Sequence, residues 1–91
     1  MMPLFAVICR DKPDALPIRQ ENRPDHLDYI NRTGVVFMAG PLLEGADMAG
    51  SLVILDVPDL AAAESWAAGD PYGKAGLFET VTVREWKKVI G

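Results

Sequence analysis

The predicted strands of this chain carry apolar side chains on both faces, and this pattern most restricts the folds open to it. One face is expected to carry Phe5, Val7, Val36, Met38, Val53 and Leu55, and the other Leu4, Ala6, Ile8, Val35, Phe37, Leu52 and Ile54. Strands of this kind are typical of a sheet that is buried on both sides. A chain of 91 residues, expected to form one domain over 1–91, has enough helix to cover only one face. We therefore expect a homodimer in which a second copy covers the other face.

The order of the predicted elements indicates an α+β fold. Strands are predicted at 4–9, 35–43, 51–57 and from 77 to about 88, with helices at 15–33 and 60–69. The resulting βαββαβ order is that of the ferredoxin-like fold, an antiparallel sheet with two helices on one face.

Several local signals set the expected ends of the helices. Asp59 is a suitable N-cap for the second helix, and Asp11 or Asp14 is a candidate cap for the first. Pro24 lies inside the first helical pattern, where it removes a backbone donor. Either the helix kinks there or a new segment begins with Asn22 as its cap.

Composition and charge exclude several classes of function. The net charge is −4, and Lys and Arg are scattered along the chain, so nucleic acid and anionic membranes are not expected partners. No apolar stretch approaches the ~20 residues of a membrane span. Cys9 is the single cysteine and His26 the single histidine, so neither a disulfide within the chain nor a Cys/His metal cage is expected. A lone thiol favours a reducing, cytoplasmic setting.

Four short segments hold the residues best suited to chemistry. Arg23 and His26 are three residues apart in the first helix, so they share a face. Gly40-Pro41 lies in the second strand, where a proline belongs at an edge, a bulge or the end of the strand. Gly50-Ser51 opens the third predicted strand, and Asp70-Pro71-Tyr72 follows the second helix.

These segments resemble the YciI-like (YCII-related) family of dimeric α+β barrel proteins. The matching motifs are R-P-x-H-L-x-Y, A-G-P-L, G-S before an apolar strand and D-P-Y-x-K-A-G-L, and the resemblance extends from Leu4 to Val89. It implies a homodimer with sheets packed face to face and a cleft built around a histidine and an aspartate, here His26 and Asp70. It also implies chemistry of the lyase, isomerase or hydrolase type, without a common cofactor.

The same residues suit proton transfer on physical grounds. An unperturbed histidine has a pKa of about 6.5, so it gives or takes protons near neutrality. A carboxylate bonded to one ring nitrogen of His26 would fix its tautomer, and Asp70 is the candidate. Arg23 is suited to hold an anionic group of a small ligand. Ser51, Tyr72 and Pro41 complete the predicted substrate-binding set.

Other interpretations of the chain stay open at this level. His26 and Arg23 are also consistent with ordinary helix positions, and Asp70 with a turn opener before proline. The same cleft would serve a non-catalytic ligand-binding module, and a dimer without a pocket would serve as an accessory domain. Haem ligation by His26 is the weakest alternative, because haem needs a cavity that a chain of this size strains to supply. No cofactor is therefore expected.

Overall fold

Residues 3–91, the part of the chain described by the computed structural model, form a four-stranded antiparallel sheet with the helices on one side. The elements are β1 (Leu4–Asp11), α1 (Leu16–Thr33), β2 (Val36–Glu44), β3 (Asp47–Asp56), α2 (Leu60–Gly69), α3 (Pro71–Lys74) and β4 (Phe78–Trp86). The strands are ordered β2-β3-β1-β4. The predicted ferredoxin-like α+β fold is confirmed. The short helix α3 was not predicted.

The main core lies between the sheet and the helices. β1 pairs with β3 in a register that sets Phe5 opposite Leu55 and Val7 opposite Val53. These alternate side chains pack with Trp66 of α2. The Trp66 indole N–H donates to the Thr33 hydroxyl at 2.9 Å, which ties the end of α1 to α2.

The outer face of the sheet is also apolar, as the strand pattern predicted. Leu4, Ala6 and Ile54 form a small buried cluster there, with Phe37 packed against it. The Lys88 side chain, after β4, also reaches this side of the sheet, where its ammonium lies 5.4 Å from the centroid of the Phe37 ring.

Two predicted faces were wrong. Val35 packs against the core on the helix side and not on the outer face, and Met38 changes face because of an irregularity in β2. The register between β2 and β3 shifts between Val36 and Met38, so that Val36 lies opposite Leu55 while Met38 lies opposite Ile54. An extra residue reverses the alternation beyond it. Met38 is therefore on the outer face, where it is 52% exposed, and not on the helix side with Phe5.

Two of the possibilities raised for α1 are wrong: a new segment beginning at Asn22, and a cap from Asp11 or Asp14. α1 continues from Leu16 through Pro24 to Thr33, and the Asn22 side-chain amide donates to the carbonyl of Ile18 within the helix. Asn22 is therefore not a cap of a new segment. Ala15 occupies the N-cap position of α1 without a side-chain hydrogen bond, so neither Asp11 nor Asp14 caps this helix.

The positions of Pro41, the cap of α2 and the β2–β3 turn follow from the backbone and hydrogen-bonding preferences of the residues there. Pro41 lies on β2, an edge strand, as predicted. The Asp59 carboxylate accepts from the Ala62 amide at 2.8 Å, which confirms it as the N-cap of α2. The β2–β3 turn is shorter than the gap between the strands predicted at 35–43 and 51–57, since β2 ends at Glu44, β3 begins at Asp47 and Gly45 adopts a φ of 62°. Within residues 3–91, no helix is long and apolar enough to cross a membrane.

Candidate active site

A cavity of about 130 Å³ opens between α1 and the half of the sheet that contains β2 and β3. Its lining consists of Arg19, Arg23, His26, Leu27 and Ile30 from α1, Ala39, Gly40 and Pro41 from β2, Met48, Ser51 and Val53 from β3, and Tyr72 from α3. An apolar protein cavity of ~150 Å³ is large enough to bind benzene. The cavity therefore suits a single ring or a molecule of similar size.

The centre of the site is a hydrogen bond between His26 and Asp70. The His26 Nδ1 atom lies 2.8 Å from Asp70 Oδ1, and both side chains are almost fully buried. An ionised carboxylate only accepts hydrogen bonds, so Nδ1 donates and Nε2 of the neutral ring keeps its lone pair. His26 reaches the cavity from α1 while Asp70 supports it from behind.

Local structure fixes the position of the Asp70 carboxylate. Asp70 ends α2 and is the N-cap of α3, where its Oδ1 also accepts from the Tyr72 backbone amide at 3.0 Å. Pro71 follows it directly and keeps Asp70 in an extended conformation. The carboxylate is thus held by two donors before any ligand binds.

Tyr72 forms the floor of the cavity and links its polar groups. Its ring stacks on the His26 imidazole with centroids 4.0 Å apart and planes 17° apart. The Arg19 guanidinium lies over the same ring, 4.6 Å from the centroid. Burial raises the pKa of the Tyr72 phenol, and the charges of Arg19 and Arg23 only partly oppose this rise. Tyr72 therefore remains a neutral phenol at physiological pH.

A second buried polar cluster, Asp11–Arg19–Ser51, was not predicted from the sequence. Arg19 donates from Nε and Nη2 to the two carboxylate oxygens of Asp11, at 2.7 and 2.8 Å. Arg19 Nη2 also donates to the Ser51 hydroxyl at 2.9 Å. Burial by itself would lower the pKa of Arg19, but the hydrogen bond and charge of Asp11 more than offset it and raise that pKa. Asp11 thus serves as an ion-pair partner and not as a helix cap.

One regularity of the sequence pointed toward Arg19. Arg19, Arg23 and His26 recur at spacings of four and three residues, so they lie along one face of α1. The partner of Arg19 could not be found this way, because Asp11 lies on a strand that precedes the helix.

The other predicted site residues also line the cavity. Arg23 is exposed at the cavity, and none of the ion pairs among residues 3–91 includes it. Pro41 lies opposite Ser51 in the β2–β3 register. The structure therefore brings all of the predicted substrate-binding residues to one cavity, and leaves Arg23 as a cation without an acidic partner in the described chain.

Cys9 is buried beside the site on β1. Burial, and then the charge of Asp70, raises the pKa of the Cys9 thiol to about 12. The thiol is therefore protonated at neutral pH and acts as a small apolar side chain. In the described part of the chain, no group of three or more His, Cys, Asp or Glu side chains is arranged to hold a metal ion.

Comparisons with known proteins agree with this architecture. Protein YciI from Escherichia coli O6:H1 is 36% identical over 96% of this chain and 99% of its own length. An uncharacterized protein from Haemophilus influenzae is 33% identical over 94% of this chain and 98% of its own length. A solved structure of the 5-chloro-2-hydroxyhydroquinone dehydrochlorinase TftG from Burkholderia phenoliruptrix AC1100, in complex with 2,5-dihydroxybenzoquinone, is 32% identical. It superposes with a TM-score of 0.86 over 92% of this chain and 93% of its own.

A more distant structure extends the likeness in fold alone. An antibiotic biosynthesis monooxygenase superposes with a TM-score of 0.61 at 16% identity, over 98% of this chain and all of its own. The family model that describes the YCII-related domain matches residues 3–87, which is nearly the whole chain. Together with the identity to YciI, this match shows that the chain belongs to the YCII-related (YciI-like) family.

Proposed function

We propose that this protein is a cofactor-independent enzyme that transfers a proton on a small, anionic, hydroxylated ring. The observation that carries the proposal is the 2.8 Å hydrogen bond from His26 Nδ1 to Asp70 beside a cavity of about 130 Å³. Asp70 occupies Nδ1, so Nε2 is the ring nitrogen left for a ligand. The relative TftG is a dehydrochlorinase solved with a dihydroxybenzoquinone, which supports the same class of ring for this chain.

The proposed step begins with removal of a proton from a ring hydroxyl by His26 Nε2. The O–H bond breaks, an N–H bond forms, and the electron pair left on oxygen becomes a C=O bond as density moves into the ring. In an isomerisation, the imidazolium returns the proton to a ring carbon. In an elimination, the imidazolium first returns the proton to the ring carbon that bears an anionic leaving group. A second ring hydroxyl then releases its proton to solvent, its oxygen forms a second C=O bond, and the leaving group departs with the electrons of its bond to carbon. Asp70 stabilises the imidazolium in both cases.

The ligand is proposed to be anionic because of Arg23. Arg19 is neutralised by Asp11, whereas Arg23 has no acidic partner among residues 3–91. An anionic ring oxygen or carboxylate would pair with the Arg23 guanidinium at the cavity mouth. Ser51, Tyr72 and Pro41 complete the proposed binding surface.

The test is hydrogen exchange at the ring carbons of 2,5-dihydroxybenzoquinone in D2O, followed by proton NMR. Wild-type protein is expected to accelerate the exchange, and His26→Ala to reduce the catalysed rate by roughly 10²–10⁴-fold. Asp70→Asn is expected to slow it as well, since an amide no longer stabilises the imidazolium. Ser65→Ala, which changes an exposed position on α2, is the control. Catalysed exchange that persists unchanged in His26→Ala would contradict the proposal.

The second candidate is a non-catalytic module that holds the same ligand. It is favoured by the exposed Arg23, which has no acidic partner among residues 3–91 and suits binding without assigning any chemistry. Under this alternative, wild-type protein would bind 2,5-dihydroxybenzoquinone without accelerating exchange, and Arg23→Gln would weaken binding.

A homodimer is part of the proposal, with the outer faces of two sheets packed together. This face carries partly exposed apolar side chains, at Ile8, Met38, Leu42, Leu52 and Trp86. Such an area is typical of an interface. Leu52→Lys is expected to shift the mass measured by light scattering from dimer to monomer. The proposed compartment is the cytoplasm, since Cys9 is a free thiol.

A further inference from the structure

The Asp11–Arg19–Ser51 cluster has a hydrogen-bonding arrangement that leaves the Ser51 O–H as a donor for a ligand. The Asp11 carboxylate engages the Nε and Nη2 atoms of Arg19 through both of its oxygens, which compensates the guanidinium charge. Asp11 and Arg19 side chains are only 5% and 3% exposed. Arg19 is therefore a poor counter-ion for a substrate, although it lies at the cavity.

The Ser51 hydroxyl lies at the cavity together with Arg19. Its oxygen already accepts from Arg19 Nη2 at 2.9 Å. A hydroxyl has one hydrogen to donate, and among residues 3–91 no side-chain hydrogen bond uses that of Ser51. Ser51 is 3% exposed and lines the cavity, so a ligand is the partner that its position favours.

We propose that Arg19 and Asp11 are positioning residues that hold the Ser51 hydroxyl as a donor to a second oxygen of the bound ring. This oxygen is distinct from the one that His26 deprotonates. The inference rests on the proposed function for the choice of ligand, and it narrows the substrate class to rings with at least two oxygen substituents. The adjacent guanidinium polarises the hydroxyl and strengthens it as a donor.

The burial of the Asp11–Arg19 ion pair suggests a role for this pair other than stabilising the fold. The desolvation of two charges commonly cancels their attraction, so a buried pair is weak grounds for a stabilising role. Here Arg19 and Ser51 line the cavity, Asp11 lies behind Arg19, and the Arg19 guanidinium donates to the Ser51 hydroxyl. The Arg19 guanidinium also lies over the Tyr72 ring, on which His26 stacks, so the cluster and the proposed base share one support.

The first measurement is the affinity of 2,5-dihydroxybenzoquinone by calorimetric titration. Ser51→Ala removes the donor and keeps the Asp11–Arg19 pair, so Kd is expected to rise roughly ten- to hundredfold, the range for a hydrogen bond to a charged group. Ser65→Ala removes an exposed hydroxyl from α2 and is expected to keep Kd within about twofold. A Kd in Ser51→Ala equal to that of wild type would overturn the inference.

The second measurement separates positioning from a general structural role. Arg19→Lys keeps the charge but loses the planar fork that engages Asp11 and Ser51 together. If Arg19 acts through Ser51, Arg19→Lys raises Kd by itself but adds little to the effect of Ser51→Ala in the double variant. Fully additive effects would overturn the positioning role. Should Arg19→Lys fail to fold, the Ser51→Ala titration still decides the donor role.

The two proposals fail in different ways. Loss of exchange in His26→Ala with an unchanged Kd in Ser51→Ala would overturn this inference and support the proposed function. Wild-type binding without exchange, together with weaker binding by Ser51→Ala, would overturn the enzyme and support the Ser51 donor. A wild-type protein that does not bind the quinone overturns both.

Discussion

Asp11→Asn should destabilise this protein far more than the loss of any surface charge. Asp11 and Arg19 bury a bidentate ion pair with N···O distances of 2.7 and 2.8 Å. Asparagine keeps the shape but replaces one acceptor with an N–H group facing a guanidinium N–H, and it leaves the charge of Arg19 buried without a partner. Breaking such a pair costs about 3–5 kcal/mol. For a domain of this length, 3 kcal/mol corresponds to a fall in Tm of roughly 12–24 °C.

The assay is urea denaturation followed by Trp fluorescence, at one fixed protein concentration because dimer formation would couple stability to concentration. The chain supplies its own matched control in Arg10 and Glu44. This pair is 3.9 Å apart with side chains 71% and 76% exposed. Glu44→Gln is expected to change the free energy of unfolding by less than about 0.5 kcal/mol.

The reasoning would be refuted by an Asp11→Asn variant that unfolds within 1 kcal/mol of wild type (about the size of a single net hydrogen bond). A companion variant tests the cause. Asp11→Leu combined with Arg19→Met removes both charges, and it should recover most of the stability lost in Asp11→Asn, since apolar replacements of buried pairs are often neutral. Failure to recover would show that the hydrogen bonds, and not the stranded charge, dominate.

Three further predictions concern stability. Because burial raises the pKa of Cys9 from its ordinary 9.0 to about 12, the unfolded chain loses this proton first, so stability should fall between pH 9 and pH 12; Cys9→Ala should lessen that fall in urea titrations. Asp59→Ala removes the N-cap of α2 and should cost about 1 kcal/mol, measured by the same titration at neutral pH. Gly50→Ala places a methyl group against the carbonyl oxygen of Cys9 and should cost about 2 kcal/mol or more, whereas Gly40→Ala meets no atom within 4 Å and should cost less than about 1 kcal/mol. Equal losses in the two glycine variants would contradict the steric argument.

The pair at the centre of the site could be proposed from sequence because each residue carries a local signal. His26 is the single imidazole, on one helix face with Arg23, and Asp70 precedes a proline after a helix. The structure joins them at 2.8 Å across 44 residues of sequence. The pattern identified the two residues, whereas the distance between them depends on how α1 and α3 pack together.

The pairing of Arg19 and the face of Met38 carried no local signal in the sequence. In the sequence, Arg19 is indistinguishable from a solvated helix cation, because its partners Asp11 and Ser51 lie on two strands that are distant along the chain. Met38 changes face because of a register shift that alternation does not reveal. Both depend on atoms that are distant along the chain.

The sequence by itself determined the order of the four strands and the two longer helices, the two apolar faces of the sheet and the helix that carries the histidine. These follow from periodicity and local backbone preferences, which act over a few residues. Only the tertiary structure decided which buried charges pair, which side chains line the cavity and how large the cavity is. Hydrogen bonds and ion pairs act over a few ångströms, so their partners are set by packing and not by spacing along the chain.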